Sequence, residues 1–236
     1  MYQERDATTR VSAAKILAVV EREFGPIDSA VDVGCGVGTF LSVLRETGVK
    51  VTHGIDGPWV DKDLLEISVL DFEEVNLESP RPLDRKYDLA ICLEVAEHLS
   101  SSSAEIIVAF LVECSNLVLF SAAIPEQGGE GHQNEQWQSY WVQMFNERGY
   151  VARDAVRPEI WNDPDVLYWY KQNTLVFVRG KDGVSLSETK NWIVDVVHPD
   201  AYLAKLASRR RRLAALIPEG SLKQFALRMR RRMSHG

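Results

Sequence analysis

Apolar residues between Thr8 and Phe24 recur at helical spacing, and the run stops at Gly25-Pro26, so the pattern predicts a helix over residues 8–24. A β-rich stretch, S-A-V-D-V-G at 29–34, then leads into a glycine-rich turn, and T-F-L-S-V-L-R-E-T at 39–47 predicts a helix closed by Gly48. Further strands are predicted over 49–56, 66–72 (the weakest), 87–93, 116–124, 150–156 and 173–180, with helices over 101–115 and 135–149. The run at 87–93 is apolar throughout, as in a strand covered on both faces. Strands alternating with helices at this spacing predict a doubly wound α/β fold. Its seven-stranded, mostly parallel sheet would have helices on both faces and an antiparallel last strand forming an edge hairpin. Residues 1–180 form the expected domain, followed by a linker over 181–200 and a basic helical tail to residue 236.

With 236 residues, 45% of them hydrophobic, the chain can bury one full-sized core but not two enzyme domains. No apolar run reaches the roughly 18–20 residues that a bilayer requires. The first ten residues are polar and lack the apolar segment of a secretory leader. Cys35, Cys92 and Cys114 each sit in an apolar segment and read as buried thiols in a reducing compartment. A soluble, cytoplasmic protein is expected. The net charge of −7 conceals an asymmetry, because residues 201–236 carry ten Lys or Arg against the single acid Glu219. A basic tail on an acidic body suggests an anionic partner, or a tail that folds back.

Candidate chemistry begins at Val31-Asp32-Val33-Gly34-Cys35-Gly36-Val37-Gly38, which ends a strand and opens a helix. Glycines there let the backbone turn sharply and approach a ligand closely. A dinucleotide fold would space them G-x-G-x-x-G; here they alternate, and Asp32 precedes them within the strand. Asp56-Gly57 ends the next strand, where the carboxylate can reach a ribose diol. This arrangement resembles the nucleoside-binding motif of class I S-adenosylmethionine-dependent methyltransferases, over about residues 30–180. The resemblance implies a Rossmann-like methyltransferase fold. It also implies donor contacts from Asp32, Gly34, Cys35, Gly36, Gly38, Asp56, Gly57 and Leu93, and an adenine flanked by Asp71-Phe72. Tyr87-Asp88-Leu89 stands where the family's aromatic-Asp element opens the fourth strand. In such enzymes the cofactor carries the reactivity, and the protein places the acceptor and helps remove a proton.

After the fourth strand the chain reads Leu93-Glu94-Val95-Ala96-Glu97-His98-Leu99. On a helical turn Glu94, Glu97 and His98 would share one face, at the strand end where such folds bind ligands. His132, within Gly131-His132-Gln133-Asn134-Glu135-Gln136-Trp137, supplies a second imidazole just after the fifth strand. The set resembles those of the metal-dependent small-RNA 2′-O-methyltransferases and the ubiquinone-biosynthesis O-methyltransferases. The first resemblance implies a divalent cation on Glu94, Glu97, His98 and His132, Mg²⁺ or Mn²⁺ ahead of Zn²⁺, which would acidify a bound hydroxyl. The metal-free alternative makes His98 or His132 the general base, with Glu94 beside it. A purely structural role for the turn is the third reading.

Residues 157–171 carry Trp161, Tyr168, Trp169 and Tyr170 between the last two strands. Rings beside Asn and Asp suit a sugar face, whereas Trp137 and Trp141, one turn apart, suit the core. The stretch from His132 to Asn173 also resembles that in bacterial methyltransferases of glycan assembly. The expected acceptor is therefore a hydroxyl of a sugar or glycan, with a catechol or other phenol as the alternative. RNA ranks below both, because an acidic body repels a phosphate backbone. A binding module that lost its chemistry and a nicotinamide-dependent oxidoreductase are the other classes. The tail reads as two basic amphipathic helices broken at Pro218 and Gly220, suited to an anionic membrane surface and hence to a peripheral position at the inner membrane face.

Overall fold

Burial follows the continuous apolar runs. Strands β1 (Ser29–Val33), β4 (Leu89–Leu93) and β5 (Leu117–Ser121) are buried along nearly their whole length. The computed structural model describes residues 2–180 and 193–215. Four more strands, β2 (Val51–Asp56), β3 (Phe72–Glu74), β6 (Tyr150–Arg153) and β7 (Leu175–Arg179), complete one sheet in the order β3-β2-β1-β4-β5-β7-β6. Pairing is parallel from β3 to β5 and antiparallel on both sides of β7. The hairpin expected at the edge is therefore present, but β7 lies inside the sheet and β6 forms its margin.

Successive side chains of a strand point to opposite faces, and each face carries its own apolar core. Helices α1 (Tyr2–Phe24) and α2 (Thr39–Glu46) cover Ala30, Leu89, Ile91 and Leu119 on one side. Helices α3 (Ala104–Cys114) and α4 (Gln138–Asn146) cover Val31, Cys92, Val118 and Phe120 on the other, where Phe145 stacks on Phe177 at 3.8 Å between centroids. Cys35, Cys92 and Cys114 are all buried free thiols.

Several boundaries differ from the sequence expectation. The apolar pattern at 66–72 does not make a strand: Ser68 caps a 3-10 turn at Val69–Asp71, and Val69 and Leu70 are exposed. β3 begins only at Phe72. Serines 101–103 form a separate 3-10 turn ahead of α3. Trp137 precedes α4 and is 42% exposed, so of the two tryptophans only Trp141 belongs to the core. The aromatic segment contains two short helices, α5 (Arg157–Ile160) and α6 (Tyr168–Asn173).

Beyond β7, residues 193–198 lie across the body as a strap. The buried Arg157 is held by Asp154 through two 2.8 Å bonds and donates to the Val194 carbonyl at 2.8 Å. Gln138 donates to the Val196 carbonyl at 3.0 Å, Asp195 accepts from Ser139, and the His198 amide donates to Gln172 Oε1 at 2.9 Å. The chain from Pro199 to Gly236 is a unit of its own, of which the described part is helix α7 (Pro199–Ala215). Most of the expected linker, and the second tail helix beyond Pro218, lie outside the described residues.

Candidate active site

Gly34, Gly36 and Gly38 adopt left-handed backbone conformations, with φ of 83°, 54° and 87°, a region that glycine enters without steric penalty. Two of them are also pressed from outside: a Cβ at Gly34 would stand 2.4 Å from Val95 Cγ2, and one at Gly38 2.8 Å from Ile67 Cγ1. Asp56 closes the turn, its two oxygens accepting from the amides of Gly36 at 2.7 Å and Gly57 at 2.6 Å. Trp59 folds over Gly57, where a Cβ would come within 2.1 Å of the ring.

Two cavities meet this turn, both bounded by Gly34 and Gly36. The larger, about 490 Å³, is also lined by Asp56, Trp59, Glu94 and His98. The smaller, about 210 Å³, is lined by Thr9, Asp32, Cys35, Thr39, Leu93 and Tyr170. Burial and the neighbouring Asp56 push the Asp32 carboxyl up to about 8, and burial raises Asp56 against the pull of the two amides. Burial also raises the Cys35 thiol, which leaves it protonated.

Asp71 and Phe72 are not brought to either cavity. Asp71 pairs with Arg45 of α2, and Phe72 packs into the core beneath α1 and α2. The residues that do reach the large cavity from this part of the chain are Asn76 and Leu77, just past the carboxyl end of β3, together with Trp59. The rule that ligands sit at the carboxyl ends of parallel strands points to Asn76 and Leu77 once β3 is correctly placed.

The second half of the site is assembled by backbone bonds between two loops. The Glu97 carbonyl accepts from the Gln133 and Asn134 amides at 2.8 and 3.0 Å, and Gln133 Nε2 donates to the His98 carbonyl at 3.0 Å. These bonds set the His98 and His132 rings edge to face, 4.8 Å apart. Ligand atoms of Glu97, His98 and His132 lie within 4.8 Å of one another. Glu97 is 0% exposed and no side chain of the described residues hydrogen-bonds its carboxyl, which only the backbone amides of Glu97 and Ala123 ease. Burial and the Glu94 charge push its carboxyl up to about 9. Burial, with His132 adjacent, lowers His98 and favours the neutral ring. Glu135 holds His132 Nδ1 at 2.9 Å while accepting from the Gly128 and Glu126 amides. That leaves Nε2 as the ring's reactive nitrogen.

Glu94 departs from the expected helical face. Only Ala96–His98 form a 3-10 turn, and Glu94 sits ahead of it at φ 55°, a left-handed conformation rare for a residue with a side chain. Its carboxylate is turned to Asn173 Nδ2 at 3.0 Å and Gln127 Nε2 at 3.1 Å. Burial raises Glu94, opposed chiefly by the Asn173 bond. Of the four expected cation ligands, three converge and Glu94 instead joins a buried amide network with Gln127, Gln172 and Asn173. Beyond His132 an open cleft of about 470 Å³ is lined by Glu126, Gln133 and Glu135. Among the described residues no Lys or Arg lines any of the three cavities. Of the aromatic segment, Tyr170 packs on Phe40 and Trp161 on His198.

The methyltransferase domain family matches residues 5–153. No curated protein matches the chain. Among solved structures, magnesium protoporphyrin IX methyltransferase (ChlM) from Synechocystis PCC 6803, with bound SAM, superposes with a TM-score of 0.54 at 20% identity, covering 74% of this chain and 81% of its own. DesVI of Streptomyces venezuelae gives 0.55 at 15% identity, covering 76% and 95%. The methyltransferase domain of a bacterial Hen1 (CtHen1-C) gives 0.52 at 20% identity, covering 74% and 100%.

Proposed function

The chain belongs to the methyltransferase domain family, and on that premise we propose that it transfers the methyl group of S-adenosylmethionine to a hydroxyl of a sugar or glycan, with a divalent cation held by Glu97, His98 and His132. It is an S-adenosylmethionine-dependent methyltransferase, in line with the SAM-bound neighbour and the alternating-glycine turn. The donor would lie across Gly34 and Gly36, its ribose on Asp56 and its amino-acid end toward Asp32 and Thr39. A cationic sulfonium suits a turn flanked by two buried carboxyls.

The observation that carries the cation is Glu97: a fully buried carboxyl that no side chain partners, beside two imidazoles within ligating reach. A buried anion needs a proton or a cation. One carboxylate oxygen and two nitrogens suit Mn²⁺, with Mg²⁺ and Zn²⁺ as the other choices. When bound, the cation would lower the pKa of an acceptor hydroxyl. The chain's own work is to hold His132 through Glu135, to keep Nε2 facing the reaction, and to align the hydroxyl with the methyl group. The oxygen–carbon bond forms as the carbon–sulfur bond breaks, giving a methyl ether, S-adenosylhomocysteine and one proton.

The lining supports a neutral polyhydroxy acceptor. Acidic and amide side chains with no Lys or Arg among them bind hydroxyls well and repel the run of phosphates along a strand, which weighs against RNA despite the structural likeness to Hen1. The His132–Glu135 pair favours a second reading, in which His132 Nε2 takes the hydroxyl proton directly and a catechol or other phenol is the acceptor. Titration with Mn²⁺ followed by paramagnetic resonance separates the two. The first reading expects binding that His132→Ala abolishes, with turnover lost in chelator. Turnover that survives chelator removes the cation and leaves the histidine base.

A further inference from the structure

We propose that helix α7 (Pro199–Ala215) docks this enzyme to an anionic lipid bilayer. Two kinds of exposed side chain share one stripe of the helix. Tyr202 and Leu203 are 61% and 60% exposed, and Arg209 and Arg210 are exposed as well. At 3.6 residues per turn, a separation of seven brings Arg209 below Tyr202 and Arg210 below Leu203, about 10 Å along the axis. An aromatic and an aliphatic side chain therefore stand at one end of the stripe and two guanidinium groups at the other.

That composition fits the interface of a bilayer. Tyrosine sits at the headgroup boundary, leucine enters the acyl region, and arginine keeps its charge among the phosphates while its stem lies along the apolar surface. Charge adds to it: Lys205, Arg211 and Arg212 belong to the same helix, and Lys223, Arg228 and Arg230 to Arg232 follow it in the sequence, with Glu219 as the only acid from residue 201 onward. A polyanionic nucleic acid would use the arginines and could stack a base on Tyr202, but it would leave the exposed Leu203 in water. Among the described residues no helix is long and apolar enough to cross a membrane, so the contact is one of lying on the surface. α7 starts directly after His198, whose amide is fixed to Gln172 in the buried network that holds Glu94.

The test is co-sedimentation of the full chain with vesicles of mixed phosphatidylglycerol and phosphatidylcholine, and with phosphatidylcholine alone. The expected result is binding to the mixed vesicles only, weakening as salt rises. Each cation removed should weaken partitioning by about fivefold, so R209Q/R210Q should lose roughly 25-fold. Leu203→Ser should weaken it further without changing its salt dependence, which tests insertion apart from charge. Thermal melting confirms that each variant is folded. Three results would overturn the proposal: no sedimentation with mixed vesicles, equal sedimentation with both kinds, or binding that the variants leave intact. Tighter binding to a single-stranded RNA oligonucleotide than to the vesicles would also overturn it and assign the helix to nucleic acid.

Discussion

The two halves of the active site are built from different materials. In the proposed site the donor side is built mostly of main chain: three left-handed glycines, the amides of Gly36 and Gly57, and a carboxylate that those amides hold. The proposed acceptor side is built of side chains delivered by two loops, Glu97, His98, His132 and Glu135, with a buried carboxyl that no side chain partners. A main-chain site is intolerant of any added atom. A side-chain site tolerates a change of shape better than a change of charge, and it should respond to protons and cations.

The sharpest way to break this contrast is Gly34→Ala. The left-handed backbone alone disfavours alanine by about 1–2 kcal/mol, and the new Cβ would meet Val95 at 2.4 Å. Binding of S-adenosylmethionine, read by calorimetry, should fall below detection while Mn²⁺ binding survives. Next in size is Glu97→Gln, which keeps the shape and removes the charge. It should weaken Mn²⁺ binding by more than about a hundredfold, beyond the range typical of outer partners, and leave donor affinity unchanged.

The same variant tests the pH response. Glu97 is an acid whose pKa rises on folding from 4.5 to about 9. Within that window the folded chain keeps a proton that the unfolded chain has released, so stability should fall as pH rises, and Glu97→Gln should flatten the fall. Asp32, raised from 3.8 to about 8, contributes a slope of the same sign that the variant leaves in place. Cation and proton compete for Glu97, so Mn²⁺ affinity should rise about tenfold per pH unit below 9. Glu135→Gln should have a smaller effect, weakening Mn²⁺ binding by about 10–100-fold through a less firmly held His132. Smallest of all is Asp71→Asn, which breaks a half-exposed ion pair with Arg45. Stability should change by less than about 1 kcal/mol, and donor affinity not at all.

The same division explains what could be read from the sequence. Alternating glycines after an apolar run declare a backbone conformation, so the turn, Asp56 and the sheet around them follow from residue order. The acceptor half depends on long-range contacts that local spacing does not encode. Glu94, Glu97 and His98 have helical spacing, yet the left-handed φ at Glu94 sends its carboxylate to Asn173, a residue 79 positions away. Asp71 and Phe72 were misplaced for a related reason, since the Ser68 cap turns the apolar residues before them outward. Nothing in local patterning announces Gln172, whose importance lies in its hydrogen bonds to Gln127, Gln138, Arg157, Asn173 and His198.

Arg157 carries a practical consequence for anyone trimming this protein. Its guanidinium donates to carbonyls at Ile193 and Val194, well past the last strand. A recombinant version cut at residue 180, where the sheet ends, would strip those acceptors from a cation that is 2% exposed. The smallest piece that can be expected to express as a well-behaved catalyst extends to His198.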